Sequence, residues 1–327
     1  MIKIIGGSGF IGTRLAKRLA KNESKFSIVD KAMSKTFADV CSIADVRDTA
    51  SLSEVLSSDD IIINLAAEHR DDVSPKSLYD DVNVQGAKNV CEVAEQKGIS
   101  TIIFTSSVAV YGFAPLGTKE DGDINYFNDY GRTKWEAELV YREWQKKDPQ
   151  NRKLVVVRPT VVFGEQNRGN VYNLLRQIAS GKFLMIGDGT NRKSMAYVEN
   201  VAAFLEYSLS FENGVHTYNY IDKPDFDMNT LVKNVYRALG KEENIGFRLP
   251  YVLGFGIGKL FDGVAAVTGK KFTVSSIRVK KFCSDSMFGT SIEESGFVKP
   301  VKLEDGLAST IKYEFVEKND GELFYTE

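Results

Sequence analysis

The chain has 327 residues, of which 43% are hydrophobic and 26% charged, with a formal net charge of −2. That length allows one large or two intimate domains with a substantial core, and the interspersed charges, with no basic run of five or more, exclude the usual signature of a nucleic-acid binder. Cys41, Cys91 and Cys283 lie far apart without metal-type spacing, so they are expected to be reduced packing residues, with neither a disulfide framework nor a metal site.

An apolar strand over residues 2–5 runs into closely spaced glycines, and Phe10, Ile11, Leu15 and Leu19 then begin a helical stripe. The stretch satisfies both Gly6-x-x-Gly9-x-x-Gly12 and Gly7-x-Gly9-x-x-Gly12. A helix N-terminus exposes unpaired N–H groups and the positive end of a dipole, so a pyrophosphate can sit there if no side chain blocks it. No charged-then-apolar leader precedes the strand, and a cytoplasmic location is expected. A second strand over residues 26–29 ends at Asp30, whose carboxylate would accept from a ribose 2′-OH and repel a 2′-phosphate. NAD(H) is therefore favoured over NADP(H), a preference that Lys31 weakens slightly.

Further strands are predicted at 61–65, 102–105 and 154–157, alternating with helices at 12–21, 78–97 and 130–147. The alternation predicts an α/β chain with a parallel, doubly wound sheet covered on both faces, its ligand edge at the strands' C-terminal ends. After about residue 165 the pattern loosens: helices near 171–180 and 198–209, a turn at Gly187-Asp-Gly189, and a strand at 216–221 returning to the sheet. Residues 1–165 are read as the dinucleotide-binding domain, and 166–327 as a smaller mixed α/β substrate domain. The apolar segment 249–268 carries Lys259 and Asp262, too costly a pair for a spanning helix. It is read as a buried helix, with a face at the membrane surface as the alternative.

Tyr130-Gly-Arg-Thr-Lys134 places a phenol and an ammonium at i and i+4 on one helical face. A lysine cation beside a bound nicotinamide cation would lower the phenol pKa and make it a general base. Upstream, Thr105-Ser-Ser-Val-Ala-Val-Tyr-Gly112 ends a strand in hydroxyls, and Ser107 is the residue expected to orient a substrate alcohol. The plainer reading is that Ser106 and Ser107 cap the turn.

With these motifs, the chain resembles the extended short-chain dehydrogenases/reductases, in their NAD-dependent nucleotide-sugar epimerase/dehydratase branch. The resemblance rests on the glycine turn, Asp45-Val-Arg47, Asn64-Leu-Ala-Ala67, Asn83-Val-Gln-Gly86, Ser106-Ser-Val-Ala-Val-Tyr-Gly112, Tyr130 to Lys134 and Arg158-Pro-Thr-Val-Val-Phe-Gly164, in the family's order. It implies a Rossmann fold with NAD as cofactor. Asp45 and Val46 would contact adenine, Leu65, Ala66 and Ala67 the middle of the cofactor, and Asn83 and Pro159 its nicotinamide side. Ser107, Tyr130 and Lys134 would be the catalytic set. A sugar hydroxyl is oxidised in this family with the tyrosine as base, while the lysine lowers its pKa and holds the nicotinamide ribose.

The 4,6-dehydratases of the family carry an acidic pair directly after the serine or threonine, whereas Val108 and Ala109 stand here. A dehydratase is disfavoured. On the substrate side the resemblance covers Asn170-Val171, Leu184 to Thr190, and Tyr197-Val-Glu-Asn-Val201. Arg192 or Lys193 would meet a diphosphate, and Arg278 is a second candidate because a guanidinium pairs well with phosphate oxygens. Many relatives have an arginine four residues before the tyrosine of Tyr-Val; this chain has Lys193, with Arg192 one place earlier. His69 could touch substrate but reads first as a structural hydrogen-bonder, and Asp71 and Asp72 as a solvated turn.

The leading expectation is a 4-epimerase acting on a nucleotide-linked sugar, such as a UDP-N-acetylhexosamine, in polysaccharide biosynthesis. A 4-ketoreductase and a catalytically silent NAD-sensing or scaffold protein are the alternatives. The resemblance further implies a homodimer packed through the helices at 78–97 and 130–147.

Overall fold

The computed structural model describes residues 1–70, 73–269 and 275–326. At its centre is a seven-stranded sheet of β1 (Ile2–Ile5), β2 (Phe26–Asp30), β3 (Cys41–Ile43), β4 (Ile61–Asn64), β5 (Thr101–Thr105), β6 (Lys153–Pro159) and β7 (Gly214–Tyr220). Their order is β7-β6-β5-β4-β1-β2-β3, and each neighbouring pair is parallel. The strand order reverses between β1 and β4, so the chain leaves these strands toward opposite edges and opens a crevice at their C-terminal ends.

Helices α1 (Phe10–Lys21), α2 (Thr49–Val55), α3 (Gly86–Lys97), α4 (Asp129–Lys146), α5 (Asn170–Ala179) and α6 (Val198–Tyr207) follow in turn. Successive strand residues point to opposite faces, and the two cores divide accordingly. Ile5, Ile62, Ile102, Phe104 and Val156 pack under α3 and α4 with Val90, Val93, Tyr141 and Trp144. Ile4, Ile63, Ile103, Val155 and Val157 pack under α1 and α6 with Leu15, Leu19, Val201 and Phe204. Burial on both faces is why these strands read as continuous apolar runs.

Beyond α6 come α7 (Met228–Ala238), α8 (Tyr251–Thr268), α9 (Ser276–Cys283) and α10 (Leu303–Phe315). Helices α5, α7 and α10 form a third core, into which Phe10 and Phe163 of the first half insert beside Leu175, Leu231 and Leu307. The returning strand expected at 216–221 is β7, in register with β6 over its whole length.

Two sequence expectations are corrected, and one strand lies outside them. The edge strand β3 escaped notice because its three residues are only half-buried or exposed and carry no apolar run. The helix expected at 78–97 is a turn at Ser77–Tyr79, a π segment at Asp80–Gln85 and then α3. The apolar segment 249–268 is helical but not buried: α8 sends no described side chain into any core.

Candidate active site

A cavity of about 760 Å³ lies along the C-terminal ends of β1, β2, β4 and β5. Its floor is the glycine turn. Gly6 has φ +76, and a Cβ there would stand 2.6 Å from the backbone nitrogen of Ala66, so the turn closes against the segment that follows β4 only as glycine. Helix α1 begins at Gly9 without a capping side chain or an acidic residue in its first turn, and Gly9, Phe10, Ile11 and Gly12 line the cavity. Its first N–H groups are thus left for an anion. Asp30 sits at the tip of β2, accepting from Ser8 N at 3.0 Å and Ala32 N at 3.1 Å. Lys31, Asp45, Val46, Leu65, Ala66 and Ala67 continue the wall. The Asp45 carboxyl is held below its usual pKa chiefly by the Arg47 guanidinium it accepts from.

The catalytic end is built from two elements. Residues after β5 turn into a short 3₁₀ helix, Val108–Tyr111, which Ser107 caps by accepting from Ala109 N at 3.1 Å. Asn128 caps α4 by accepting from Gly131 N at 2.9 Å, which fixes Tyr130 in the first turn and Lys134 one turn on. Gly131 allows the two elements to touch, since a Cβ there would stand 2.4 Å from the Ala109 carbonyl oxygen. As a result Ser107, Tyr130, Lys134 and Pro159 share the cavity wall, with the Ser107 hydroxyl beside the Tyr130 phenol.

Among the protein's own groups, burial dominates the electrostatics of the catalytic end. Burial pushes the Tyr130 pKa up, and the neighbouring Ser107 hydroxyl only partly opposes it. Lys134 is 2% exposed, its ammonium 4.3 Å from the Phe104 ring centre, and desolvation lowers its pKa to about 7 against a smaller opposing pull from Glu138. His69 also lines the cavity, with a pKa lowered first by desolvation.

Not every expected residue reaches the wall. Asn83 is spent within the chain: it accepts from Glu68 N at 2.8 Å and donates to Glu68 O at 2.9 Å and Thr133 Oγ1 at 3.0 Å, so it braces α4 from behind. Asn170 lines the cavity, whereas Val171 turns into the third core. Arg192 stands exposed on a two-residue strand beside Asp285, outside the cavity wall. The Lys193 ammonium donates to the carbonyls of Lys281 and Ser284, at 2.8 and 2.5 Å. Arg278 lies on α9, also away from the wall. Asp71 and Asp72 lie outside the described residues.

The cavity also takes Asn167, Gly169, Ser286, Phe288 and Thr326, which sequence reasoning missed. Ser286 arrives because its N–H donates to Arg192 O at 2.9 Å, and the C-terminal segment because Arg168 N donates to Phe324 O at 2.7 Å. Neither pairing has a local sequence signal.

The residues present fit a dinucleotide. The turn excludes a side chain where a pyrophosphate would pass, Asp30 faces the space for a ribose, and the buried hydroxyls of Thr105 and Ser106 in the wall have no partner among the described residues. The model of the NAD dependent epimerase/dehydratase family matches residues 2–220. This chain belongs to that family. It is accordingly an enzyme of the epimerase/dehydratase class, and NAD is its cofactor.

Among curated proteins, it is similar to an N-acetyl-alpha-D-glucosaminyl-diphospho-ditrans,octacis-undecaprenol 4-epimerase of Escherichia coli O157:H7. The two are 50% identical over 329 aligned residues, covering 100% of this chain and 99% of that protein. Among solved structures, a UDP-N-acetylglucosamine 4-epimerase from Bacillus cereus superposes with TM-score 0.74 at 16% identity, covering 99% of each chain. A UDP-glucuronic acid 4-epimerase from Bacillus cereus in complex with NAD does so with TM-score 0.72 at 17% identity, over 95% of this chain and 97% of that one. These structural likenesses show that the epimerase fold runs the length of the chain.

Proposed function

We propose that this protein is a 4-epimerase of an N-acetylhexosamine carried through a diphosphate on a polyprenyl lipid. One observation carries the reading: the 50% identity, over the whole of both chains, to an enzyme named for that reaction. It moves the expected carrier from a nucleotide to a lipid, both of which hold the sugar through a diphosphate.

In this reading Gly6, Gly9, Phe10, Ile11, Gly12, Asp30, Lys31, Asp45, Val46, Leu65, Ala66, Ala67 and Pro159 hold NAD, with the unpartnered hydroxyls of Thr105 and Ser106 at the nicotinamide end. NAD, when bound, supplies a reversible acceptor for the hydrogen on the sugar C4. Ser107 donates to the sugar C4 oxygen and aligns it, Tyr130 takes the C4 hydroxyl proton and returns it, and Lys134 in its charged form stabilises the phenolate. The wall at Val108 and Ala109 has no side chain to remove a second proton, so the sugar keeps its other hydroxyls. The division at residue 165, a homodimer formed through the segments 78–97 and 130–147, and a cytoplasmic location belong to the same proposal. Leu139, 41% exposed on α4, supports the interface.

The test incubates purified protein and NAD with N-acetylglucosaminyl-diphospho-polyprenol and analyses the released sugar. Interconversion with N-acetylgalactosamine is expected, and Tyr130→Phe should lower kcat by about 10²–10⁴ while NAD binding persists. Turnover of UDP-N-acetylglucosamine but not of the lipid would overturn the carrier, and stoichiometric consumption of added NADH with a 4-keto-sugar substrate, without epimerisation, would make the enzyme a ketoreductase.

A further inference from the structure

Helix α8 packs in the reverse of a globular helix. The residues it buries are Gly254 and Gly258, one turn apart. A Cβ at Gly254 would stand 2.7 Å from Ile186 Cγ2, and one at Gly258 2.7 Å from Ser276 Cα, so the glycines are what bring the helix down onto the fold. Phe255 and Phe261 are half-buried, but its leucines, isoleucine and Val252 and Val264 face outward. Leu253, Ile257, Leu260 and Val264, spaced 4, 3 and 4 apart along one face, are 57%, 43%, 68% and 40% exposed, and Val252 beside them is 78% exposed. An outward stripe of this kind on an otherwise well-packed chain marks an interaction surface.

The charge around the stripe selects its occupant. Asp262, the one acidic residue of α8, is turned inward, accepting from Ser276 Oγ at 2.5 Å and Ser276 N at 3.2 Å. Lys259 is exposed beside the stripe, and Arg278, Lys280 and Lys281 lie on α9, which packs along α8. Together α8 and α9 therefore carry four cations and a single carboxylate, in a chain whose net charge is −2. No described helix is long and apolar enough to cross a membrane. An apolar face rimmed by lysine and arginine, on a helix that cannot span, is the pattern of a helix lying in a bilayer interface.

We propose that α8 seats this enzyme on an anionic phospholipid surface, with its apolar stripe among the acyl chains and the cations of α8 and α9 at the headgroups. The proposal rests on the lipid-linked substrate for its purpose, not for its evidence. A second cleft, lined by Asp188, Arg248, Pro250, Tyr251 and Lys280 at the N-terminal end of α8, would then open at the height of the headgroups.

The experiment is vesicle flotation of the full-length protein with phosphatidylcholine alone and with about 30% phosphatidylglycerol. Binding to the anionic vesicles is expected, weakened by salt, and reduced at least about tenfold in Leu253→Gln/Leu260→Gln. Both leucines are exposed, so the variant should keep its circular dichroism spectrum and its turnover of detergent-solubilised substrate. Absence of wild-type binding, or equal binding by the double variant, would overturn the proposal. So would a double variant that loses only a self-association seen by light scattering, since the face would then belong to a second copy. Vesicle binding without turnover of the lipid-linked sugar supports the docking surface and overturns only the substrate reading.

Discussion

Gly131 shows how one residue sets the catalytic geometry. Alanine is the better helix former, by about 0.8–1.0 kcal/mol, yet its Cβ would meet the Ala109 carbonyl and push α4 away from Ser107. Gly131→Ala is expected to lower kcat by about 10²-fold with little loss of NAD affinity, and unchanged kinetics would show that the close approach is dispensable. Lys134 makes a second prediction through pH. Its pKa is about 7 in the folded chain against 10.5 in its ordinary state, so between these values the unfolded chain binds more protons and stability rises with pH, by up to about 1.4 kcal/mol per unit. The gain is complete above the unfolded value and is lost as pH falls through about 7. In thermal melts without added cofactor, Lys134→Met should lack this increment, so the wild-type Tm should gain on the variant between pH 7 and 9; parallel curves would contradict the shifted lysine.

At the scale of elements, the site depends on how α4 is clamped. Arg132 pairs with Asp80 of the π segment through two contacts of 2.8 and 2.9 Å, while Asn83 holds Thr133. On the other side Glu138 and Arg158 form a buried bidentate pair at 2.8 and 2.6 Å, and the Arg158 guanidinium donates to Tyr111 OH. This ties α4, β6 and the 3₁₀ turn after Ser107 into one block. Breaking such a pair strands a buried charge, so Glu138→Gln should cost about 3–5 kcal/mol of stability by denaturant titration. A loss below about 1 kcal/mol would mean that Arg158 finds another partner. The Arg158 motif was legible as a family sign, but its role as a clamp was not, because Glu138 reads in sequence as one more charge on a helix surface.

For the molecule as a whole, cofactor binding should be measurable as stability. At a hundredfold excess over its Kd, NAD should add about 2.7 kcal/mol to unfolding, and Asp30→Ala should weaken that gain for NAD while narrowing the preference over NADP. A Tm insensitive to NAD would contradict the glycine turn as its site. Much of this was local information. A strand, a glycine turn and a helix, an acid at the end of β2, and a Tyr-x-x-x-Lys pair one turn apart are short-range patterns, so sequence alone determined six of the sheet's seven strands, the cofactor end and the grouping of Ser107, Tyr130 and Lys134. What tertiary structure decided depends on segments far apart in the chain: Ser286 and Thr326 enter the cavity, Lys193 is drawn onto the carbonyls of Lys281 and Ser284, and Asn83 is turned to a bracing role. It also decided the exposure of α8, since apolar composition gives a helix its hydrophobicity, and only packing against neighbours determines which side of it meets the solvent.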